Sequence, residues 1–181
     1  MNDQLIFSDG RTVYITLESK VRPVIKWILI GLNIAFYSGI LALFVFLPSE
    51  ELIKAIIPMT LLTGVVFYKL TRSMLWNVFG KERIQITKET FSYQQDFGFY
   101  KTALVTGPIE YGITIAPEET LVYQDEKYLT LHFYTYDEHE VPSLMYISGI
   151  KTPAKNYKLI IDLLNDLYGV QEEPNLWISM N

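Results

Sequence analysis

Between Trp27 and Leu47 the chain runs for 21 residues without a charge, rich in Leu, Ile, Phe and Ala, and this stretch restricts the fold more than any other feature. At ~1.5 Å of rise per residue a helix over it measures about 31 Å, close to the roughly 30 Å of a bilayer hydrocarbon core. It reads as a transmembrane helix. The competing reading is a helix buried in a soluble core. Some 25 residues with strand-like content precede it, without a basic n-region followed by a small-residue cleavage site, so a cleaved signal peptide is not expected.

A polar break, Pro48-Ser49-Glu50-Glu51, separates this run from a second, Leu52 to Leu70, charged only at Lys54 and Lys69. Its uncharged part, Ala55 to Tyr68, is 14 residues long, too short to span unless both lysines reach toward the headgroups along their alkyl stems. On that basis it is expected to be a second span, with Pro58 in its first two turns. The two runs define a transmembrane hairpin over residues 24–72.

Orientation follows from the basic residues. Lys20, Arg22 and Lys26 precede the first span, and Lys69, Arg72, Lys81 and Arg83 follow the second, whereas the connecting loop sets Lys54 against Glu50 and Glu51. The positive-inside rule then predicts that both termini are cytoplasmic. Trp27, Tyr68 and Trp76 fit an aromatic belt on that side, with Lys81 and Arg83 at the same interface; ordinary aromatic packing explains any one of the three equally well.

An antiparallel turn near Ser49 would bring positions summing to about 99 to equal depth. Gly31, Ala35 and Gly39 then face Thr60 and Gly64, a small-residue seam through which two helices can approach closely. Docking of a partner's helix on the glycine stripe is the alternative. Asn33 and Tyr37 are expected to make helix–helix hydrogen bonds rather than line a transport path, and no ionisable residue lies mid-membrane.

After about residue 80, apolar and polar residues alternate. Ile84 and Ile86, Phe91 and Tyr93, Phe97 to Val105, Ile109 to Ile115, Leu121 to Tyr123, Tyr128 to Tyr136 and Glu140 to Tyr146 are predicted strands, with Gly107-Pro108 and Ala116-Pro117-Glu118-Glu119 as loops. Thr152 is a predicted cap, Pro153 the first helical residue and Gly169 a left-handed stop. Between them Tyr157, Ile160, Ile161, Leu164, Leu167 and Tyr168 form one apolar stripe. Residues 1–23 read as a β-hairpin, with Asp9-Gly10 as its turn, that docks on the later sheet or extends it. The tail 170–181, with Glu172, Glu173 and Pro174, reads as irregular, and Leu176 and Trp177 as its anchor or a partner contact.

The stretch Trp76-Asn77-Val78-Phe79-Gly80-Lys81-Glu82-Arg83-Ile84, directly after a two-helix hairpin and opening a run of strands, resembles bacterial inner-membrane proteins with a cytosolic PH-like domain. The resemblance implies a mainly-β, α+β domain over 76–169: a bent antiparallel sheet of about seven strands closed by one C-terminal helix. It also implies a binding or assembly module, and transfers no catalytic residues. A plainer account of the motif makes Trp76 an interface anchor, Gly80 a bend, and Lys81 and Arg83 orientation charges.

Charge and chemistry narrow the function classes. Residues 1–83 carry nine basic and six acidic groups, net +3, and residues 84–181 six basic and fourteen acidic, net −8. The second part is repelled by nucleic-acid phosphates and by anionic lipid heads. Without cysteine there is no disulfide, thiolate metal site or cysteine nucleophile. Asp137-Glu138-His139-Glu140 alternates its side chains across a strand and reads as a solvated turn rather than a metal site. His132 reads as a packed or hydrogen-bonded histidine. No phosphate loop, nucleophile elbow or metalloprotease signature is present, and no cofactor is expected.

Tyr128, Tyr134 and Tyr136, with Tyr123 and Tyr146, form the candidate partner-binding face; one covered face of a bent sheet is the alternative. The resulting expectation is a protein-binding subunit, scaffold or assembly factor of a membrane complex. Its rival is a small-molecule or lipid-headgroup sensor using Lys81, Arg83 and Trp76. An enzyme built on carboxylates alone is a third reading.

Overall fold

The computed structural model describes residues 5–19, 21–46, 48–123 and 126–169. Lys20 and the predicted anchors Leu176 and Trp177, with the rest of the tail 170–181, lie outside the described residues. The described chain is mixed α+β and falls into two compact units, one within Ser19–Gly80 and one drawn from both sides of it.

In the helical unit, α1 spans Pro23–Phe46 and α2 spans Ser49–Val66. A π-helical turn at Phe67–Thr71 leads without a break into α3, Arg72–Phe79. Among the described residues α1 is the one helix long and apolar enough to cross a membrane. It covers little of its apolar surface against the folded chain: Trp27 is 72% exposed, Leu41 67% and Phe46 83%. A helix serving as the core of a soluble domain would bury such side chains.

The second apolar run departs from expectation at its start. α2 begins at Ser49 rather than Leu52, so it takes Glu50 and Glu51 into its first turn. Pro58 becomes its tenth residue, inside the helix, where its missing N–H breaks the backbone bond to Lys54.

The small-residue seam does not form in this structure. A β-carbon added at Gly31, Gly39 or Gly64 would meet nothing within 4 Å, and the Thr60 hydroxyl donates to Ile56 O of its own helix at 2.7 Å. Polar groups join the helices instead. Thr71 in the π-turn donates to Asn33 Oδ1 at 2.9 Å and shares a 2.8 Å hydrogen bond with the Tyr37 hydroxyl, while Asn33 Nδ2 donates to Leu29 O at 2.9 Å. Asn33 is 5% exposed on an otherwise exposed helix. These pairs sum to 104 and 108 rather than 99, a register displaced from the one that would juxtapose the glycines. At the base, Ser19 N donates to Gly80 O at 2.9 Å, Ser19 Oγ to Asn77 O at 3.1 Å and Lys26 Nζ to Val78 O at 3.3 Å. Gly80 is needed for its close approach: a β-carbon there would lie 2.1 Å from Trp76 O.

The β unit contains two antiparallel sheets. The first has five strands in the order β1 (Leu5–Ser8), β2 (Thr12–Glu18), β3 (Lys81–Thr87), β4 (Thr90–Asp96) and β5 (Val105–Pro108). The second orders β6 (Ile113–Tyr123), β7 (Glu126–Tyr136) and β8 (Pro142–Ile147), with the short β9 (Thr152–Pro153) paired to β7. The N-terminal hairpin extends the first sheet: β2 pairs with β3 from Thr12↔Thr87 to Glu18↔Lys81. Strict alternation sends Val13, Ile15, Leu17, Ile84, Ile86 and Phe91 inward, and Leu129, Leu131 and Phe133 of β7 meet them, with Phe91 and Phe133 rings 5.1 Å apart.

Helix α4, Ala154–Tyr168, packs Ile160, Leu164 and Leu167 against this core. Its tyrosines tie both sheets, Tyr157 donating to Ile115 O at 3.2 Å and Tyr168 to Thr87 O at 3.3 Å. Gly169 ends it at φ 70° as the sequence implies. The predicted cap is displaced: Pro153 is the capping residue, and Thr152 is a fully buried strand residue opposite Leu129.

Three strand boundaries also differ. The segment predicted as a strand from Phe97 to Val105 begins with a tight turn, and β5 starts only at Val105, taking in Gly107-Pro108. The predicted strand Ile109–Ile115, loop 116–119 and strand Leu121–Tyr123 merge largely into β6, which starts at Ile113 and contains Pro117. Both prolines are tolerated because β5 and β6 are edge strands, where a missing donor breaks no ladder bond on the open side.

Candidate functional site at a buried carboxylate

Sequence reasoning read Lys81 and Arg83 as interface and orientation charges and gave Glu82 between them no role. The pleat of β3 divides the three residues: Glu82 shares the parity of Ile84 and Ile86 and is fully buried, while Lys81 and Arg83 take the outer face. That parity was the signal available in the sequence, hidden by two flanking cations.

Glu82 connects the first sheet to the end of β8. Its Oε1 accepts from the Tyr146 hydroxyl at 2.9 Å and from Gly149 N at 2.7 Å, and its Oε2 accepts from Ile150 N at 3.4 Å. Gln95 lies opposite it on β4, and the Tyr146 ring stacks on Tyr93 at 4.2 Å. Burial pushes the Glu82 carboxyl up to about 7, against the opposing pull of the Tyr146 hydroxyl and the two backbone donors. Tyr146 is driven above the ordinary phenol range, first by burial and then by the neighbouring Glu82 charge. The group can therefore exchange a proton near neutrality while tying three donors together. With no exposed surface, it meets no substrate in this conformation.

The predicted site residues are distributed over several surfaces. Lys81 pairs with Glu18, and Arg83 with Asp96 at 3.1 Å; Lys101 also reaches Asp96 at 3.7 Å. Both cations of the expected headgroup pocket thus already face carboxylates on neighbouring strands. Trp76 belongs to the helical unit and is half-buried; Tyr68 is exposed there and accepts from Arg72 at 3.1 Å.

Tyr128, Tyr134 and Tyr136 share the outer face of β7 and are half-buried, Tyr128 donating to Glu126 and Tyr136 to Thr114, each at 3.1 Å. Tyr146 leaves this expected group because it points into the core, and the Tyr123 side chain lies outside the described residues. Register adds apolar neighbours to the face, with Leu144 opposite Tyr134, Pro142 opposite Tyr136 and Ile147 opposite His132. His132 makes a 3.1 Å contact to Glu118 across the β6–β7 ladder. In the acidic loop, Asp137 Oδ1 accepts from His139 N and Val141 N, which shapes a turn.

These features define a mixed α+β protein with, among the described residues, one helix long and apolar enough to cross a membrane, and a two-sheet β unit that contains a buried carboxylate. Comparison with family models, curated proteins and solved structures finds no match to this chain.

Proposed function

We propose that this protein is a membrane-anchored protein-binding module of the bacterial inner membrane: a two-span hairpin with both termini cytoplasmic, carrying a PH-like domain that serves a membrane complex as subunit, scaffold or assembly factor. The exposed apolar surface of α1 supports membrane insertion. The pairing of β2 with β3 supports the hairpin. Two strands of one sheet must share one side of a bilayer, so the chain between them crosses an even number of times. If α1 crosses, the run containing α2 returns. Antiparallel sheets with α4 packed on their core agree with the PH-like reading, although two sheets of five and four strands exceed the strand number that the resemblance implies.

The observation that carries the binding role is the outer face formed by Tyr134, Tyr136, Pro142 and Leu144, on an edge of the second sheet. Leu144 is 48% exposed, and β8 offers a free ladder edge among the described strands. Aromatic and aliphatic groups beside an open edge suit a protein partner. Affinity purification of the full chain in mild detergent is expected to recover a stoichiometric partner, and Leu144→Asp is expected to release it. Recovery of a monodisperse lone chain would overturn the reading.

A further inference from the structure

We propose that the hairpin tip Phe97–Tyr100 is a lipid-contacting element that seats Phe99 in the interface of the bilayer entered by α1. The proposal rests on the membrane reading of α1 and is independent of the protein-binding role.

The tip is a two-residue turn: Phe97 N donates to Tyr100 O at 2.8 Å, and Gly98 takes φ 87° at the first central position. The second central position of such a turn faces water and favours small polar residues. Here it is Phe99, 80% exposed, followed by Tyr100 at 44% and Leu104 at 54%. The turn is rigidly built: the Phe97 and Tyr100 rings stack at 4.7 Å, and Gly98 N donates to Asp96 Oδ1 at 2.9 Å. An aromatic group held outward on a stiff support matches the chemistry of the bilayer interface.

Register identifies the end of the sheet that carries the tip. Asp96 pairs with Lys81, and Lys81 with Glu18, so the tip follows the strand ends at which the chain departs toward α1 and returns after α3. Local charge permits close approach to anionic lipid. Asp96 is buried and bridged by Arg83 and Lys101, Glu18 is paired with Lys81, and three cations face two carboxylates. The acidic loop lies elsewhere: Asp137 lines a depression with Pro108, whose ladder partner is Thr90 at the other end of β4.

The cysteine-free sequence permits single-site labelling of the full chain. Phe99→Cys, and Ala103→Cys with Phe99 retained, would each carry an environment-sensitive fluorophore, with Lys88→Cys in the β3–β4 turn as reference. The protein is reconstituted in phosphatidylethanolamine–phosphatidylglycerol vesicles and floated after an alkaline wash. The expected result is a blue shift and severalfold stronger quenching by brominated lipid at 99 and 103 than at 88. If the protein floats but iodide quenches all three labels alike, the lipid contact is overturned while membrane insertion stands. If it does not float, both readings fail. Concentration-dependent shielding from both quenchers would assign the tip to a second copy and would also overturn the proposal.

Discussion

Glu82 keeps its carboxyl out of water and receives three donors that all favour the ionised form, yet burial outweighs them and holds its proton up to about pH 7. A carboxyl raised from 4.5 in the unfolded chain favours the folded state at acid pH. Its contribution is complete below about 4.5, declines as pH rises, and is gone above about 7. At ~1.4 kcal/mol per pH unit the window represents roughly 3 kcal/mol. Denaturant titrations of the full chain in detergent between pH 4 and 8 are expected to show this decline, and Glu82→Gln to flatten it. An unchanged slope in the variant would remove Glu82 as its source. Tyr146→Phe deletes the strongest opposing donor, so it is expected to cost about 1–3 kcal/mol and to move the decline to higher pH, read from the same titrations. Glu82 itself was legible only through parity. Tyr146 was not legible, because the β-bulge between Phe133 and Tyr134 changes which β8 residues face inward, and a sequence does not display the register of a strand pair.

At the scale of elements, absence of charge made α1 readable, and Gly169 with the apolar stripe made α4 readable. The helix–helix seam was misread because small residues recur for several reasons, whereas a polar side chain among apolar ones requires a partner. Asn33 and Tyr37 find Thr71, and the π-turn that contains Thr71 has no plain sequence signal. A double-mutant cycle of Asn33→Leu and Thr71→Val, measured by detergent-induced unfolding, is expected to give a coupling near ~1 kcal/mol. Additive losses would show that the contact does not hold the helices. Strand ends were misplaced where proline was taken as a stop, since only the sheet order reveals that Pro108 and Pro117 lie on edges.

For the whole molecule, the sequence separated an apolar helical part from a β-rich part but left open whether the N-terminal hairpin docks on the later sheet or extends it, because a pairing 63 residues apart leaves no local trace. That pairing has a consequence for biosynthesis. At roughly 5–20 residues per second, the ribosome releases β2 about 3–13 s before β3, and the whole helical unit is synthesised in between. Throughout that interval β2 presents an unpatched ladder, with Val13, Ile15 and Leu17 uncovered. An unpaired edge beside an uncovered apolar face is the condition under which a nascent strand pairs with the wrong neighbour.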